Sequence, residues 1–422
     1  MEKISIKGGK PLFGKVEISG SKNSSLAILA SCLLTDKKIS ISGVPKLTDT
    51  FFFLELLNSL GAEIDGLENF EDTKEFIINA KKITNNKAPY NLVKKMRASI
   101  LVLGPLLSRF KKVKISLPGG CAIGTRPIDI HLFGLEKLGV KFTFEKGYIY
   151  GQIKNNLVGS FIDLPFSSVG ATENIMMAAV LSDGMTTINN AAKEPEITDL
   201  ADCLNKMGAK IYNAGTNTIQ IQGVKNLLRA EHTIINDRIV AGTFIIAAIM
   251  LNKDFLIKKI NPKHLTNVID VLIKMGANLE IGKDFIKVLK SDLISGIEIE
   301  TKPYPGFPTD LQAQIMSLMT LANGNSKIKE NIFENRFMHV PELNRLGAKI
   351  KVKNDEALIQ GNNTFKGAQV MASDLRASVS LVLAGLCAEG ETIINRVYHL
   401  DRGYEKIEEI LGKCGPKIVR LK

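Results

Sequence analysis

The stretch SLPGGCAIGTRPID, residues 116–129, holds the side chain best suited to acid–base or covalent chemistry in this sequence of 422 residues. Gly119, Gly120 and Gly124 loosen the backbone around Cys121, and Arg126 supplies a nearby cation that favours the thiolate. A small hydrophobe filling a turn is the plainer alternative. It suits Cys32 and Cys387 better, since both lie in apolar runs, while Cys203 and Cys414 fall in amphipathic ones. Asp310, in YPGFPTDLQAQ, is either the cap of a helix or a general base for a hydroxyl. Cations gather at other helix starts: Lys22 in SGSKNSS, Arg97 in KKMRAS and Arg376 in SDLRAS. Unpaired backbone N–H groups and the positive end of the helix dipole attract anions there. Any one of these residues reads as an ordinary cap or surface ion pair. Two arginines in the same phrase, RAS, together with Lys22, point to a site for a polyanion.

The elements that must carry these residues repeat. LGAEI, LGVKF, MGAKI, MGANL, LGAKI and KCGPKI place Gly61, Gly139, Gly208, Gly276, Gly347 and Gly415 about seventy residues apart. Each phrase closes an amphipathic segment such as HLTNVIDVLIKMGANLEI, which predicts a helix stopped by a left-handed glycine and followed by a strand. Earlier in each repeat comes a segment apolar nearly all round, for example RASILVLGPLL or RASVSLVLAGLCA, which predicts a helix buried on every side. A strand such as KKISISGVP follows it. The fold class is therefore α/β, with six helix–strand–helix–strand units around buried central helices, three units to a domain. One domain is expected over 21–234. The other is expected to be discontinuous, 1–20 plus 235–422, with the N-terminal strand completing the last unit.

The formal net charge of +12 suits anionic partners. Nucleic acid is not expected, because the lysines are scattered, aromatics make up only 6%, and no arginine-rich or zinc-finger segment occurs. Apolar runs break after about a dozen residues, too short to span a bilayer, so no membrane insertion is expected. Charge and glycine occupy the first twenty residues where a secretory signal needs an apolar stretch. Five cysteines without CxxC spacing indicate neither a disulfide framework nor zinc, which suits a reducing cytoplasm. The five histidines, His131, His232, His264, His339 and His399, lack metal-ligand spacing, and there is no phosphate-binding or dinucleotide fingerprint. No metal and no cofactor is expected.

GSKN at 20–23, MRAS at 96–99, PGGCAIGTRPIDIH at 118–131, SVGAT at 168–172, EPEITD at 194–199, FPTDLQAQ at 307–314, FENRFMHVPEL at 333–343, DLRAS at 374–378 and DRGYE at 401–405 run in order from end to end. Together they resemble the enolpyruvyl transferase family, in the branch whose acceptor is UDP-N-acetylglucosamine. The resemblance implies an inside-out α/β barrel with two similar domains and a cleft that closes on substrate. It also implies the reaction: enolpyruvate passes from phosphoenolpyruvate to the sugar 3-hydroxyl through a tetrahedral ketal, and phosphate leaves. By that likeness Cys121 protonates the methylene carbon and Asp310 is the base. Lys22, Arg126 and Arg402 hold phosphoenolpyruvate, and Arg97, Arg336 and Arg376 extend that grip. Asn23, Pro127, Ile128, Asp129, His131, Ser168, Val169 and Ile332 line the nucleotide sugar. Two positions depart from the pattern: Phe166 replaces a lysine found two residues before SVGAT in many members, and Val240 stands where some carry an acid. The shikimate-directed sister enzymes share fold and donor but lack the loop cysteine and the FENRFMHVPEL block. A non-catalytic RNA-binding relative of the repeat fold would not need Cys121, Asp310 and Lys22 together.

Overall fold

A computed structural model of the chain describes residues 2–117 and 128–422, so Cys121, Arg126 and Pro127 lie outside the described residues. Six central helices organise the rest: α1 (Lys22–Ser31), α2 (Leu103–Phe110), α3 (Val169–Ala179), α4 (Arg238–Met250), α5 (Gln312–Leu321) and α6 (Leu375–Cys387). Almost every side chain in α1, α3, α5 and α6 is buried, polar ones included, as expected of helices without a polar face. The second of them is not one helix throughout. Arg97–Val102 winds as a 3-10 turn before α2 begins. Pro105 has no N–H to offer the carbonyl four residues back, and its ring crowds that turn.

Each central helix leads into a strand: Lys38–Ser42, Lys112–Ser116, Met185–Asn189, Phe255–Lys258, Ser326–Lys329 and Glu391–Asn395. An amphipathic helix follows and stops at the repeated glycine, where φ is between 95° and 110° in all six copies. That left-handed backbone is the reason a glycine recurs there. Beyond it, in the first five copies, the chain forms an antiparallel hairpin, as in Glu63–Asp65 with Glu75–Asn79, rather than the single strand expected. In four of the six copies a short strand then enters the next central helix and pairs in parallel with the strand leaving it, as Phe161–Asp163 does with Met185–Asn189. The unit is thus strand–helix–strand–helix–hairpin, and the described residues hold six four-stranded sheets. The extra strands escaped the sequence because several span only two or three residues, too few for alternation to register.

By its internal contacts the chain divides into two compact units. Residues 2–19 with 236–422 form one, and the described part of 20–235 forms the other. Each has its own apolar core. Lys3–Lys7 lies between Glu391–Asn395 and Lys417–Leu421, so the chain's first strand sits in the sheet of the sixth repeat. Lys15–Glu17 pairs in parallel with Phe255–Lys258 after α4, while Ala230–Thr233 pairs in parallel with Lys38–Ser42 after α1. Strands distant in sequence thus fill equivalent edge positions in the two units. No helix among the described residues is long and apolar enough to cross a membrane.

Candidate active site

In the unit built from 20–235, the start of α1 is capped by Ser21, whose Oγ accepts from Ser24 N–H at 3.4 Å. Lys22, the first helical residue, is buried rather than solvated. Its Nζ lies 3.5 Å from Asp49 Oδ2, a carboxylate only 3% exposed. Asp49 belongs to the first turn of the amphipathic helix Thr48–Leu60, where an acid complements the dipole. A second carboxylate fixes α1: Asp199 accepts from the hydroxyl of Ser24 and from Ile235 N–H at 3.2 Å, and its Oδ1 lies 2.9 Å from His232 Nε2. Asn23, next to Lys22, is half-buried.

Arg97 opens the 3-10 turn before α2, and its charge faces His131 on the helix Asp129–Lys137. Burial and then the Arg97 charge push the His131 pKa down to about 4, so the ring is neutral near pH 7. Ile128 is half-buried and Asp129 exposed at the start of that helix. Ser168 caps α3, its Oγ accepting from Ala171 N–H at 3.4 Å, and it is half-buried together with Val169. Phe166, two residues before Ser168 and one of the two departures from the family pattern, is exposed.

In the other unit Asp310 does not cap its helix. It sits in the 3-10 turn Thr309–Leu311 before α5, and its carboxylate binds two guanidiniums: Arg336 Nη2 donates to Oδ1 at 2.7 Å and Arg376 Nη2 to Oδ2 at 3.1 Å. Both arginines are at most 5% exposed, while the Asp310 side chain remains 27% accessible. Burial opposes the Arg376 charge, but Asp310, Tyr404 and Asp237 outweigh it and raise its pKa above the ordinary value. Tyr404 Oη lies 3.5 Å from Arg376 Nη1 and 2.9 Å from Thr243 Oγ1. Glu330 steadies the same region, accepting from Thr309 Oγ1 beside Asp310 and from Ile332 N–H, each at 2.9 Å. Ile332 is half-buried, and Arg402 ends the 3-10 turn Val397–Arg402 with its charge facing His399.

The structure therefore brings Asp310, Arg336 and Arg376 together in one unit, and in the other it places Lys22 against a carboxylate and His131 within the field of Arg97. Sequence reasoning missed four contributors: Asp49, Tyr404, Glu330 and Asn174, whose amide nitrogen lies 3.1 Å from His131 Nδ1. Asn174 carried a readable signal, being an amide inside the otherwise apolar run GATENIMMAAVL. Tyr404 lies within DRGYE without a role assigned to it, and Asp49 and Glu330 look like ordinary helix-start and strand-end acids.

The described residues thus form two units of buried helices with four-stranded sheets, each unit holding a buried cation beside a carboxylate. The chain matches the family described as EPSP synthase (3-phosphoshikimate 1-carboxyvinyltransferase) over residues 6–411, and it belongs to that family. Within the family, it is 51% identical over 421 residues to UDP-N-acetylglucosamine 1-carboxyvinyltransferase of Pelagibacter ubique, covering 100% of both chains. It is 50% identical over 424 residues to the protein of the same name from Caulobacter sp. (strain K31), covering 100% of this chain and 98% of that one. Among solved structures, the enolpyruvyl transferase NikO from Streptomyces tendae superposes with a TM-score of 0.89 at 25% identity, covering 99% of this chain and 98% of that one. The EPSP synthase of Acinetobacter baumannii shares the fold, with a TM-score of 0.77 at 20% identity over 100% of both chains.

Proposed function

We propose that this chain transfers the enolpyruvyl group of phosphoenolpyruvate to the 3-hydroxyl of UDP-N-acetylglucosamine and releases phosphate. The observation that carries the reading is likeness along the whole chain, at about half identity, to relatives named for that reaction. The product is an enolpyruvyl nucleotide sugar, the start of peptidoglycan precursor synthesis in a bacterial cytoplasm. The substrates are small molecules, and the scheme calls on no metal or cofactor.

The residues divide the work. The sugar hydroxyl attacks the second carbon of phosphoenolpyruvate while the methylene carbon gains a proton, giving a tetrahedral ketal. Loss of a proton from the new methyl group and departure of phosphate then restore the alkene. Asp310 takes the hydroxyl proton and Cys121 delivers the proton to carbon. Lys22, Arg126 and Arg402 bind the phosphate and carboxylate, and Arg97, Arg336 and Arg376 add to that field, which gains strength away from water. Asn23, Pro127, Ile128, Asp129, His131, Ser168, Val169 and Ile332 hold the nucleotide sugar. The paired guanidiniums on Asp310 support its role, because they fix the carboxylate in one orientation while leaving it accessible.

The test is phosphate release with phosphoenolpyruvate and UDP-N-acetylglucosamine, run beside shikimate 3-phosphate as the rival acceptor. Release with the nucleotide sugar alone is the expected result. Release only with the shikimate ester would assign the chain to the sister activity.

A further inference from the structure

Asn174 lies in the middle of α3, fully buried, and its amide is satisfied on both sides. The backbone N–H of Gly104 in α2 donates to Asn174 Oδ1 at 2.6 Å. A backbone N–H can only donate, so the oxygen of this amide is identified by its partner and the nitrogen must point the other way. That nitrogen donates to the carbonyl of Ile100 at 2.9 Å and to His131 Nδ1 at 3.1 Å. An acceptor Nδ1 requires the ring's proton to be on Nε2. The contact with α2 needs glycine, since a Cβ at Gly104 would come within 2.3 Å of the Asn174 carbonyl and 2.6 Å of its Oδ1.

The other edge of the ring faces the start of α3. A Cβ placed on Gly170 would lie 3.1 Å from His131 Cε1 and 3.3 Å from Nε2, so the N–H edge sits beside the turn that carries Ser168 and Val169. Among the described residues the ring's hydrogen bond is the one from Asn174. We propose that Asn174 is a positioning residue that locks His131 as the neutral Nε2–H tautomer, so that the ring donates to an uncharged carbonyl or hydroxyl oxygen of the nucleotide sugar. This rests on the reading of His131 as a nucleotide-sugar contact. A charge on the ring is disfavoured by its burial and by Arg97, which faces it. The division of labour is then physical: Arg97 offers a full charge for phosphate, and His131 offers direction and selectivity without adding to the cationic field.

The experiment is nitrogen-15 NMR of histidine-labelled full-length protein, with the His131 signals assigned by their loss in His131→Gln. From about pH 6 to about pH 8 the wild type should show Nδ1 as an unprotonated, pyridine-type nitrogen and Nε2 as the protonated one. Asn174→Asp puts a carboxylate oxygen against Nδ1 and should move the proton there. Steady-state kinetics should show KM for UDP-N-acetylglucosamine rising roughly tenfold in Asn174→Asp, with kcat changed far less. His131→Gln, which keeps a neutral donor, should retain more affinity than His131→Ala. A wild-type spectrum with the proton on Nδ1 overturns the proposal, and so does an Asn174→Asp variant with tautomer and KM unchanged. Because the spectrum needs no substrate, a protein that turned over no nucleotide sugar would overturn the functional reading while leaving the tautomer decided on its own.

Discussion

Arg376 donates to Asp310 Oδ2 at 3.1 Å from a position that is itself almost fully buried, and Arg336 closes on the other oxygen at 2.7 Å. The carboxylate is held as a fork between two planar cations, a geometry that a neutral amide cannot reproduce. Asp310→Asn should therefore still bind both substrates but turn over about a hundredfold more slowly or worse, if the carboxylate is the base. Phosphate release set beside equilibrium binding of each substrate checks it. Equal turnover in the variant would remove Asp310 from the chemistry.

The cysteines give a second expectation. Burial pushes the Cys203 and Cys387 thiols up to about 12, Cys32 well above its ordinary value and Cys414 upward, so these four stay protonated and unreactive at neutral pH. A limiting amount of an epoxide phosphonate should alkylate Cys121 alone, as read by peptide mass mapping. Cys121→Ser should lose most phosphate release at neutral pH. A map showing another cysteine modified, or full activity in the serine variant, defeats the assignment.

Much of this was legible because the relevant signals are local. A central helix without a polar face and a glycine needed at φ near 100° each leave a mark within a few residues, and six repetitions amplify it. What stayed hidden depends on distant partners. Asp49 looks like any first-turn acid until Lys22 is seen against it, and Glu330 looks like a strand-end carboxylate until it gathers Thr309 and Ile332. The edge positions filled by Lys15–Glu17 and Ala230–Thr233 follow from a topology that no local pattern encodes.

The Lys22–Asp49 pair is buried on both sides, so it should be sensitive to removal of one member. Asp49→Ala strips a carboxylate from an ammonium held away from water and should lower the unfolding free energy by about 3 kcal/mol, with KM for phosphoenolpyruvate rising. Urea unfolding and steady-state kinetics measure the two effects. A variant as stable as the wild type would mean that the pair is solvated in solution.

Acid should weaken the fold through two buried histidines. His131 and His339 both have pKa values lowered from 6.5 to about 4, chiefly by burial, with Arg97 adding to the effect at His131. Between those values the unfolded chain binds protons that the folded chain refuses, so stability is complete above about pH 6.5 and falls as pH drops toward 4. The loss is on the order of a few kcal/mol per histidine. Unfolding followed at several pH values should show this slope, and His131→Gln should flatten it.

Two of the repeated glycines separate backbone strain from steric clash. Gly139 has φ of 100° with nothing within 4 Å of a Cβ built on it, whereas at Gly276, with φ of 104°, the same atom would lie 2.3 Å from the Leu293 carbonyl oxygen. Gly139→Ala should therefore lose only the left-handed backbone term, about 1 kcal/mol. Gly276→Ala carries that term plus the displacement of a main-chain carbonyl that accepts no such approach, and should lose clearly more. Denaturant unfolding of the two variants against the wild type measures the difference. Equal losses would mean that the segment around Leu293 yields at no cost, and that the glycines recur for their dihedral angle alone.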